Sequence, residues 1–181
     1  MVSRCRWCNP ANPLYVEYHD SEWGRFRNDD PYLFEMLLLE SFQAGLSWEC
    51  ILNKRENFRR AYDGFDLEKV CGYDEEKVRE LMADPGIVRN RLKILSCIGN
   101  ARIFRDIVRE YGSFWAYLNQ FVQDRTIYEE GQTTNELSDS ISADLKKRGM
   151  KFAGSTIVYA YLQAVGVINS HEPECFLYEE K

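Results

Sequence analysis

The feature that most constrains this fold is a set of cysteines and histidines divided between the two ends of the chain. Cys5 and His19 lie near the start, His171 and Cys175 lie near the end, and the sequence has no other histidine. Each end supplies half of a Cys2His2 ligand set, the donor chemistry of a closed tetrahedral zinc site. A metal bound by both halves would close a loop of more than 150 residues and remove entropy from the unfolded chain. The residues alone fit equally well two ordinary histidines and two unligated thiols near the chain ends.

The composition is that of an ordinary soluble globular protein, with 45% hydrophobic and 29% charged residues. A chain of 181 residues is long enough for one large domain or two small ones. No apolar run approaches the roughly 20 residues of a membrane span, and no apolar segment follows the early arginines as it would in a secretion signal. We therefore expect a cytoplasmic protein whose cysteines are reduced or bound to metal rather than paired in disulfides.

The net charge of −6 by itself argues against a nucleic-acid partner, because phosphates attract lysine and arginine. The basic residues are clustered, however. Arg89, Arg91 and Lys93 form one group, and four more basic residues lie within 146–151. Such clusters indicate either a local basic face on an acidic body or simply a solvated surface.

The hydrophobic periodicity is helical almost throughout, so the predicted fold class is all-α, with the helices packed around one central helix. Segment 31–45 is apolar on nearly every side and follows Asp29 and Asp30, which predicts a buried central helix with an aspartate cap and proline in its first turn. Residues 123–136 are expected to be irregular. Further helices are predicted at 48–62, 66–72, 74–82, 90–111, 114–122, 138–147 and 155–164.

A tight turn at 84–86, which ends in Gly86, connects two of these predicted helices. A glycine turn that opens onto a helix N-terminus predicts a phosphate site, because the free N–H groups and the helix dipole both favour an anion. Arg89, Arg91 and Lys93 are placed to add charge. The segment is similar to a helix-hairpin-helix that grips the DNA backbone without reading sequence, and the alternative is a plain helix connection.

Glu40 lies in the middle of the most apolar predicted helix. A carboxylate there loses solvation, so it must either find a partner such as a core arginine or raise its pKa, and such groups often mark function. Trp7, Tyr18 and Trp23 lie close in sequence to the first two candidate metal ligands, and Trp48 follows Glu40 across a short turn. If a metal presses these aromatic residues onto Glu40, they form a flat-walled pocket suited to a planar, cationic heterocycle.

Seven motifs occur in order over nearly the whole chain: RCRW, NPLYVEYHDSEWG, LFEMLLLESFQAGLSW, KRENFRRAY, PGIVRNRLKILSCIGNAR, LKKRGMKFAGSTIVYAYLQAVG and VINSHEPEC. Together they resemble the DNA-3-methyladenine glycosylase I family of the helix-hairpin-helix superfamily. The resemblance implies an all-α helix-hairpin-helix glycosylase fold, formed by a single domain over 1–181 with the pocket between two helical lobes. It also implies that zinc (Zn2+) joins the termini as a structural ion held by Cys5, His19, His171 and Cys175. Cys8 is an extra cysteine relative to the family pattern and an alternative ligand.

The activity implied by this resemblance is DNA repair, in which 3-methyladenine is flipped out of alkylated DNA and excised by hydrolysis of its N-glycosidic bond. Methylation at N3 makes the base cationic within the nucleotide, so it is already a good leaving group. Carried over by motif, Glu40 and Tyr18 would hydrogen-bond the polar edge of the base, Trp48 would stack on it, and Trp7 and Trp23 would line the pocket.

Further expectations concern the chemistry and the DNA contacts. Glu40 is expected to act first in base recognition, with a part in the chemistry as the alternative. No catalytic aspartate or Schiff-base lysine stands out, which predicts a monofunctional enzyme. Leu46 is the expected wedge where the base leaves the stack, and cluster 146–151, with Gly149 and Gly154, is expected to contact phosphates. The expected partner is double-stranded DNA with alkylated bases, bound by a monomer without membrane attachment.

Two other functions compete with this one. A zinc deaminase needs an open metal position together with His-x-Glu and Pro-Cys-x-x-Cys, and the spacings from His19 to Glu22 and from Cys5 to Cys8 do not match these patterns. A non-catalytic lesion-binding module would keep the same fold and pocket without turnover.

Overall fold

The computed structural model describes residues 2–179 and is mostly helical, as the sequence predicts. No helix in that part of the chain is both long and apolar enough to cross a bilayer. A short 3-10 turn lies at Asp63–Phe65, and two strands, β1 (Ile127–Tyr128) and β2 (Ile168–Asn169), pair in parallel. The helices are α1 (Pro13–Ser21), α2 (Asp30–Gln43), α3 (Trp48–Leu52), α4 (Arg55–Ala61), α5 (Leu67–Cys71), α6 (Glu75–Ala83), α7 (Arg91–Tyr111), α8 (Phe114–Val122), α9 (Glu136–Lys147) and α10 (Ser155–Ala164).

Helix α2 is the predicted central helix and forms the core of the molecule. Its N-cap is Asp29, whose side chain accepts a hydrogen bond from the Tyr32 N–H, and Pro31 lies in the first turn. The helix packs against α3, α7, α8 and α10, and most of its residues are buried. Because neighbours cover nearly every side of α2, Glu40 in its penultimate turn lies in the protein interior.

Polar N-caps start several helices where the sequence predicts them. Ser47, Asp66, Asp74, Asn90 and Ser113 each accept a hydrogen bond from a backbone N–H in the following turn.

Three details of the sequence prediction are wrong. The helix expected over 48–62 is broken at Asn53 and Lys54, and it forms α3 and α4 instead; the Asn53 side chain accepts from Asn12 at 2.9 Å, which ties the break to the start of α1. Helix α1 was not predicted as a separate element. The segment 123–136, expected to be irregular, contains β1, because a two-residue strand is too short to show a period.

The two short strands matter for the position of the C-terminal segment. Ile127 pairs with Ile168 and Tyr128 with Asn169, so the loop that follows β1 runs beside the segment that follows β2. His171 comes two residues after β2. The pairing thus helps to place a C-terminal histidine against the N-terminal part of the chain.

Candidate functional site

The structure brings the four cysteines and histidines from the chain ends into one buried group. Their donor atoms all lie within 4.8 Å of one another. Cys5 Sγ lies 3.5 Å from His171 Nδ1, and Cys175 Sγ lies 3.5 Å from His19 Nε2 and 3.6 Å from His171 Nδ1. Zinc bonds of about 2.3 Å to sulfur and about 2.0–2.1 Å to nitrogen, at a tetrahedral angle, place the two donors about 3.6 Å apart. The spacing of these donors therefore fits a single tetrahedral ion.

The surroundings of the group favour metal binding as well. The His19 Nδ1 atom lies 2.8 Å from a carboxylate oxygen of Asp20, and Arg4 donates two hydrogen bonds to that carboxylate at 2.7 and 2.6 Å. Such a carboxylate fixes the ring of a ligating histidine. Burial lowers the pKa of His171 to about 4, so its ring is neutral, the form that ligates metals. Burial also raises the pKa of Cys5 to about 12, so a bound cation is needed to deprotonate this thiol near neutral pH.

Cys8, the alternative ligand, lies outside this group. Its thiol is directed at the backbone carbonyl of Tyr15, 3.7 Å away. The Cys-x-x-Cys spacing with Cys5 therefore does not bring both sulfurs to one ion.

A cavity of about 500 Å³ lies beside the Cys/His group. Its walls include the aromatic residues Trp7, Tyr15, Tyr18, Trp23 and Trp48. The ring centroids of Tyr18 and Trp48 are 5.3 Å apart, and those of Trp7 and Trp23 are 4.7 Å apart with the rings edge to face. A concave cavity of this size, with aromatic walls and several polar side chains, is typical of a small-molecule or base site.

Trp23 connects the cavity wall to the candidate metal group. Its ring meets the His171 ring edge to face with a centroid separation of 4.8 Å, and the Trp7 ring lies 5.2 Å from that of His19. The two histidines thus support two tryptophans of the pocket directly.

Glu40 also lines this cavity and is only 3% exposed. Its Oε2 atom and the Nε1–H of Trp48 are buried without a hydrogen-bond partner among residues 2–179. Burial raises the pKa of Glu40 to about 8. Because buried polar atoms in folded proteins are nearly always paired, an unpaired acceptor and an unpaired donor in the same cavity indicate a polar ligand.

The hairpin between α6 and α7 forms as predicted, but its phosphate-binding geometry differs from the prediction. The Asn90 side chain accepts from the Lys93 N–H at 3.1 Å, and Asp84 accepts from the Gly86 N–H at 2.7 Å. Two backbone donors that the sequence predicted to be free are therefore occupied by side chains of this hairpin.

The three basic residues of this hairpin have different environments. Arg89 is exposed, whereas Arg91 forms a two-point ion pair with Glu75 at 2.8 and 3.0 Å. Lys93 is only 7% exposed, and its Nζ donates to two backbone carbonyls at the end of α2, at 2.7 and 2.5 Å. The prediction that Lys93 adds charge to a surface phosphate site is therefore wrong, because its ammonium group points into the protein.

A second hairpin, between α9 and α10, fits an anion better. Gly154 is the N-cap residue of helix α10, and no described side chain caps the first turn of this helix. Lys146, Lys147 and Lys151 are exposed nearby in the chain, and the backbone of Lys151 is held at both its N–H and its C=O by Asn100 of α7. An uncapped N-terminus with lysines near it in the chain could hold a phosphate, although the Asp139 carboxylate, which accepts from the Ser155 hydroxyl, lies at the same end of α10.

Leu46 lies in the turn where the sequence places it, after the end of α2. Its side chain is 41% exposed. Gly45 has φ +78°, and no described heavy atom lies within 4 Å of the position that a Cβ would occupy there. The turn 44–46 therefore projects from the surface with little packing of its own.

Sequence reasoning missed several polar residues of the cavity, among them Gln43, Gln163, Ser170 and Glu130. Gln43 follows Glu40 by three positions on α2, so helical spacing could have identified it. Gln163 donates to Ser170 at 2.8 Å, but no local pattern links these residues to Glu40, which lies far away in the sequence.

Comparison with known proteins gives consistent matches over nearly the whole chain. Residues 7–178 match the model of the methyladenine glycosylase family. The chain is 43% identical to DNA-3-methyladenine glycosylase 1 of Escherichia coli strain K12, over 98% of this chain and 97% of that protein. A crystal structure of 3-methyladenine DNA glycosylase I superposes with a TM-score of 0.93 at 39% identity, over 98% of this chain and 100% of the other. A variant of such an enzyme in complex with 3-methyladenine superposes with a TM-score of 0.90 at 32% identity, over 96% of each chain.

Proposed function

This chain belongs to the methyladenine glycosylase family, and from that premise we propose how its cavity, its surface turns and its Cys/His group serve the reaction. The chain is a glycosidic-bond hydrolase of DNA repair that excises 3-methyladenine. The residue roles that follow are supported by the geometry of the cavity and by its charges.

One observation carries the assignment of the pocket, namely the buried and unpartnered carboxylate oxygen of Glu40. In our proposal this oxygen accepts a hydrogen bond from the exocyclic amine of the methylated base. The pKa of about 8 favours the neutral carboxyl in the empty pocket, whereas a cationic base placed beside it would favour the carboxylate. Glu40 thus gains a charge interaction with the lesion that ordinary adenine, which is neutral, does not provide.

The aromatic walls select a flat cation. Trp48 stacks on the base, Tyr18 hydrogen-bonds its polar edge, and Trp7 and Trp23 close the remaining sides. An aromatic face attracts a cation by about 0.5–2 kcal/mol, which adds to the discrimination against unmethylated bases. A site built on such contacts penalises a base that leaves its polar groups unpaired.

The reaction needs little acid catalysis. The bond between the sugar C1′ and the base nitrogen breaks, its electron pair moves to the cationic base, and the base leaves as neutral 3-methyladenine. The oxygen of a water molecule bonds to C1′, and the water gives up one proton. No lysine lines the cavity within the described part of the chain, which supports a monofunctional enzyme that forms no Schiff base.

The proposed partner is duplex DNA, from which the lesion must be flipped at a cost of a few kcal/mol. Leu46 is the candidate wedge, because it is an exposed apolar side chain on a projecting turn. The N-terminus of α10 at Gly154 and the lysines near it would hold one phosphate, and Gly86, Arg89 and Arg91 would offer a second, weaker contact.

Cys5, His19, His171 and Cys175 are the residues that would hold zinc. Four protein donors leave no open coordination position, which is the arrangement of a structural ion and not of a deaminase. The ion would tie the chain ends together and hold Trp23 and Trp7 against the pocket. We further propose that the chain acts as one domain, as a monomer and in the cytoplasm.

The test is release of free base from methylated duplex DNA. Wild-type protein should release 3-methyladenine, identified by chromatography. Glu40→Gln should be slower by about tenfold, because glutamine keeps an acceptor oxygen but loses the negative charge that faces the cationic base. The zinc content should stay unchanged in Glu40→Gln, and Glu80→Gln, on the exposed face of α6, should behave as wild type. Absence of release at enzyme excess would favour a lesion-binding module without turnover.

A further inference from the structure

Lys93 is a buried cation that the proposed mechanism leaves without a role. Its Nζ donates to the Phe42 carbonyl at 2.7 Å and to the Ala44 carbonyl at 2.5 Å. Both carbonyls belong to the C-terminal end of α2, where a helix leaves its last carbonyls without intrahelical partners and where its dipole favours a positive charge. Lys93 belongs to α7, so this contact joins two separate elements of the fold.

The segment held by Lys93 links the pocket to the exposed turn. Glu40 and Gln43, from the end of α2, line the cavity. Leu46 comes three residues after Gln43, and its N–H donates to the Gln43 carbonyl at 2.6 Å. Gly45 and Leu46 are exposed, and among the described side chains Lys93 donates a hydrogen bond to the backbone of this turn, at the Ala44 carbonyl.

Lys93 also approaches the second hairpin. Its Nζ lies 5.9 Å from the ring centroid of Phe152, a residue with φ +49° in the loop between α9 and α10. The preceding residue, Lys151, is held by Asn100 of α7. One ammonium group is therefore close to both surface segments that are candidates for DNA contact.

We propose that Lys93 is a positioning residue for base extrusion, which fixes turn 44–46 so that Leu46 enters the duplex as the lesion enters the cavity. This inference rests on the proposed function. Removal of the ammonium group leaves the Phe42 carbonyl of α2 and the Ala44 carbonyl of the turn without their donor, and the turn moves away from the position in which Leu46 replaces the lost stacking. The walls of the cavity and Glu40 keep their places.

The test compares a substrate that needs extrusion from a duplex with one that does not. Excision of 3-methyladenine is measured under single-turnover conditions from methylated poly(dA) paired with poly(dT) and from methylated poly(dA) alone. Lys93→Met should slow excision from the duplex by about tenfold or more and from the single strand by less than about threefold, because flipping is easiest from an unpaired strand. The Kd of free 3-methyladenine, followed by tryptophan fluorescence, should change by less than about twofold, because the cavity is retained.

Control variants distinguish a positioning role of Lys93 from a general loss of stability or activity. Lys69→Met removes an exposed charge from α5 and should match wild type on both substrates. Equal slowing of Lys93→Met on both substrates, an unchanged duplex rate, or weaker binding of the free base would each overturn the inference and leave the proposed function standing. A wild-type protein that releases no base from either substrate would instead overturn the proposed function, and this inference with it.

Two further variants keep the inference testable if Lys93→Met folds poorly. Lys93→Arg keeps the charge and the donors, so it should recover most of the duplex rate. Leu46→Ala should slow excision from the duplex in the wild-type and Lys93→Arg backgrounds, and it should add less than about twofold in the Lys93→Met background, which is already impaired, because coupled residues are not additive. Fully additive losses would show that Lys93 does not act through Leu46.

Discussion

Glu40 and Lys93 show how a single charged residue can lie in the interior for two different reasons. Glu40 faces a cavity and keeps one oxygen unpaired, whereas Lys93 is satisfied by carbonyls of the neighbouring helix. The apolar sequence around Glu40 was enough to predict its burial. The inward orientation of Lys93 could not be read from its basic neighbours, because its partners lie about 50 positions away in the sequence.

The raised pKa of Glu40 predicts a pH-dependent gain in stability for Glu40→Gln. The pKa rises from the ordinary value of 4.5 to about 8 on folding, so between these values the folded protein holds a proton that the unfolded chain has lost. Stability of the wild type therefore falls as pH increases through this window. Glutamine lacks this titration, so the melting temperature of the variant relative to wild type should increase from pH 4.5 to pH 8 and level off above it.

Thermal melts of both proteins across this pH range test the prediction. A difference between wild type and Glu40→Gln that stays constant with pH would mean that Glu40 is not desolvated in the folded protein.

The two hairpins differ at the helix N-termini that could hold an anion. Asn90 caps α7, whereas no described side chain caps α10 at Gly154. Both hairpins carry basic residues, so composition did not distinguish them. The presence of caps at Ser47, Asp66 and Asp74 was predictable, because serine and aspartate precede each helical pattern. The split of 48–62 into α3 and α4 was not, because the hydrogen bond found at the break joins Asn53 to Asn12, 41 positions away in the sequence.

A cap introduced at the start of α10 should oppose DNA binding. Gly154 has φ −68° and ψ 160°, which a serine adopts without strain, and a Cβ there meets open space. Gly154→Ser should raise stability by about a few tenths of a kcal/mol and weaken duplex binding, because its hydroxyl occupies N–H groups that a phosphate would use.

The matched variant is Gly154→Ala, which adds the Cβ without the hydroxyl. It should bind duplex DNA more tightly than Gly154→Ser, as measured by fluorescence anisotropy at fixed salt. Equal affinities of the two variants would indicate that the N-terminus of α10 does not hold a phosphate.

At the scale of the whole molecule, the two chain ends form one unit with the pocket. Cys5 and His19 meet His171 and Cys175, and the histidines pack against Trp7 and Trp23. The residue types at the two ends predicted a candidate ligand set, and the structure brings its four donors together. The approach of the two chain ends depends on contacts between segments that are far apart in the sequence. The position of the loop after β1 at the cavity depends on such contacts as well. Local sequence patterns carry no signal for contacts of this kind.

Cys175→Ser should therefore lower the stability of the folded protein, and weaker binding of the base should follow from that loss. A cross-link over a loop of this length contributes on the order of 4–5 kcal/mol by the chain-entropy estimate. The variant should lose zinc, melt at a clearly lower temperature and bind free 3-methyladenine more weakly, because Trp23 loses its support. Cys50→Ser, a partly exposed cysteine outside the group, is the control. An unchanged melting temperature in Cys175→Ser would argue against an ion that joins the termini.

The central claim is that the aromatic cavity with Glu40 at its side is the place where the methylated base binds, and titration with free 3-methyladenine tests it most directly. Tryptophan fluorescence of the wild type should be quenched saturably by this base and far less by adenine. Glu40→Ala, which removes the acceptor oxygen, should bind it at least about tenfold more weakly, and Trp48→Ala should lose most of the quenching. Equal affinity of wild type and both variants for 3-methyladenine would contradict the account.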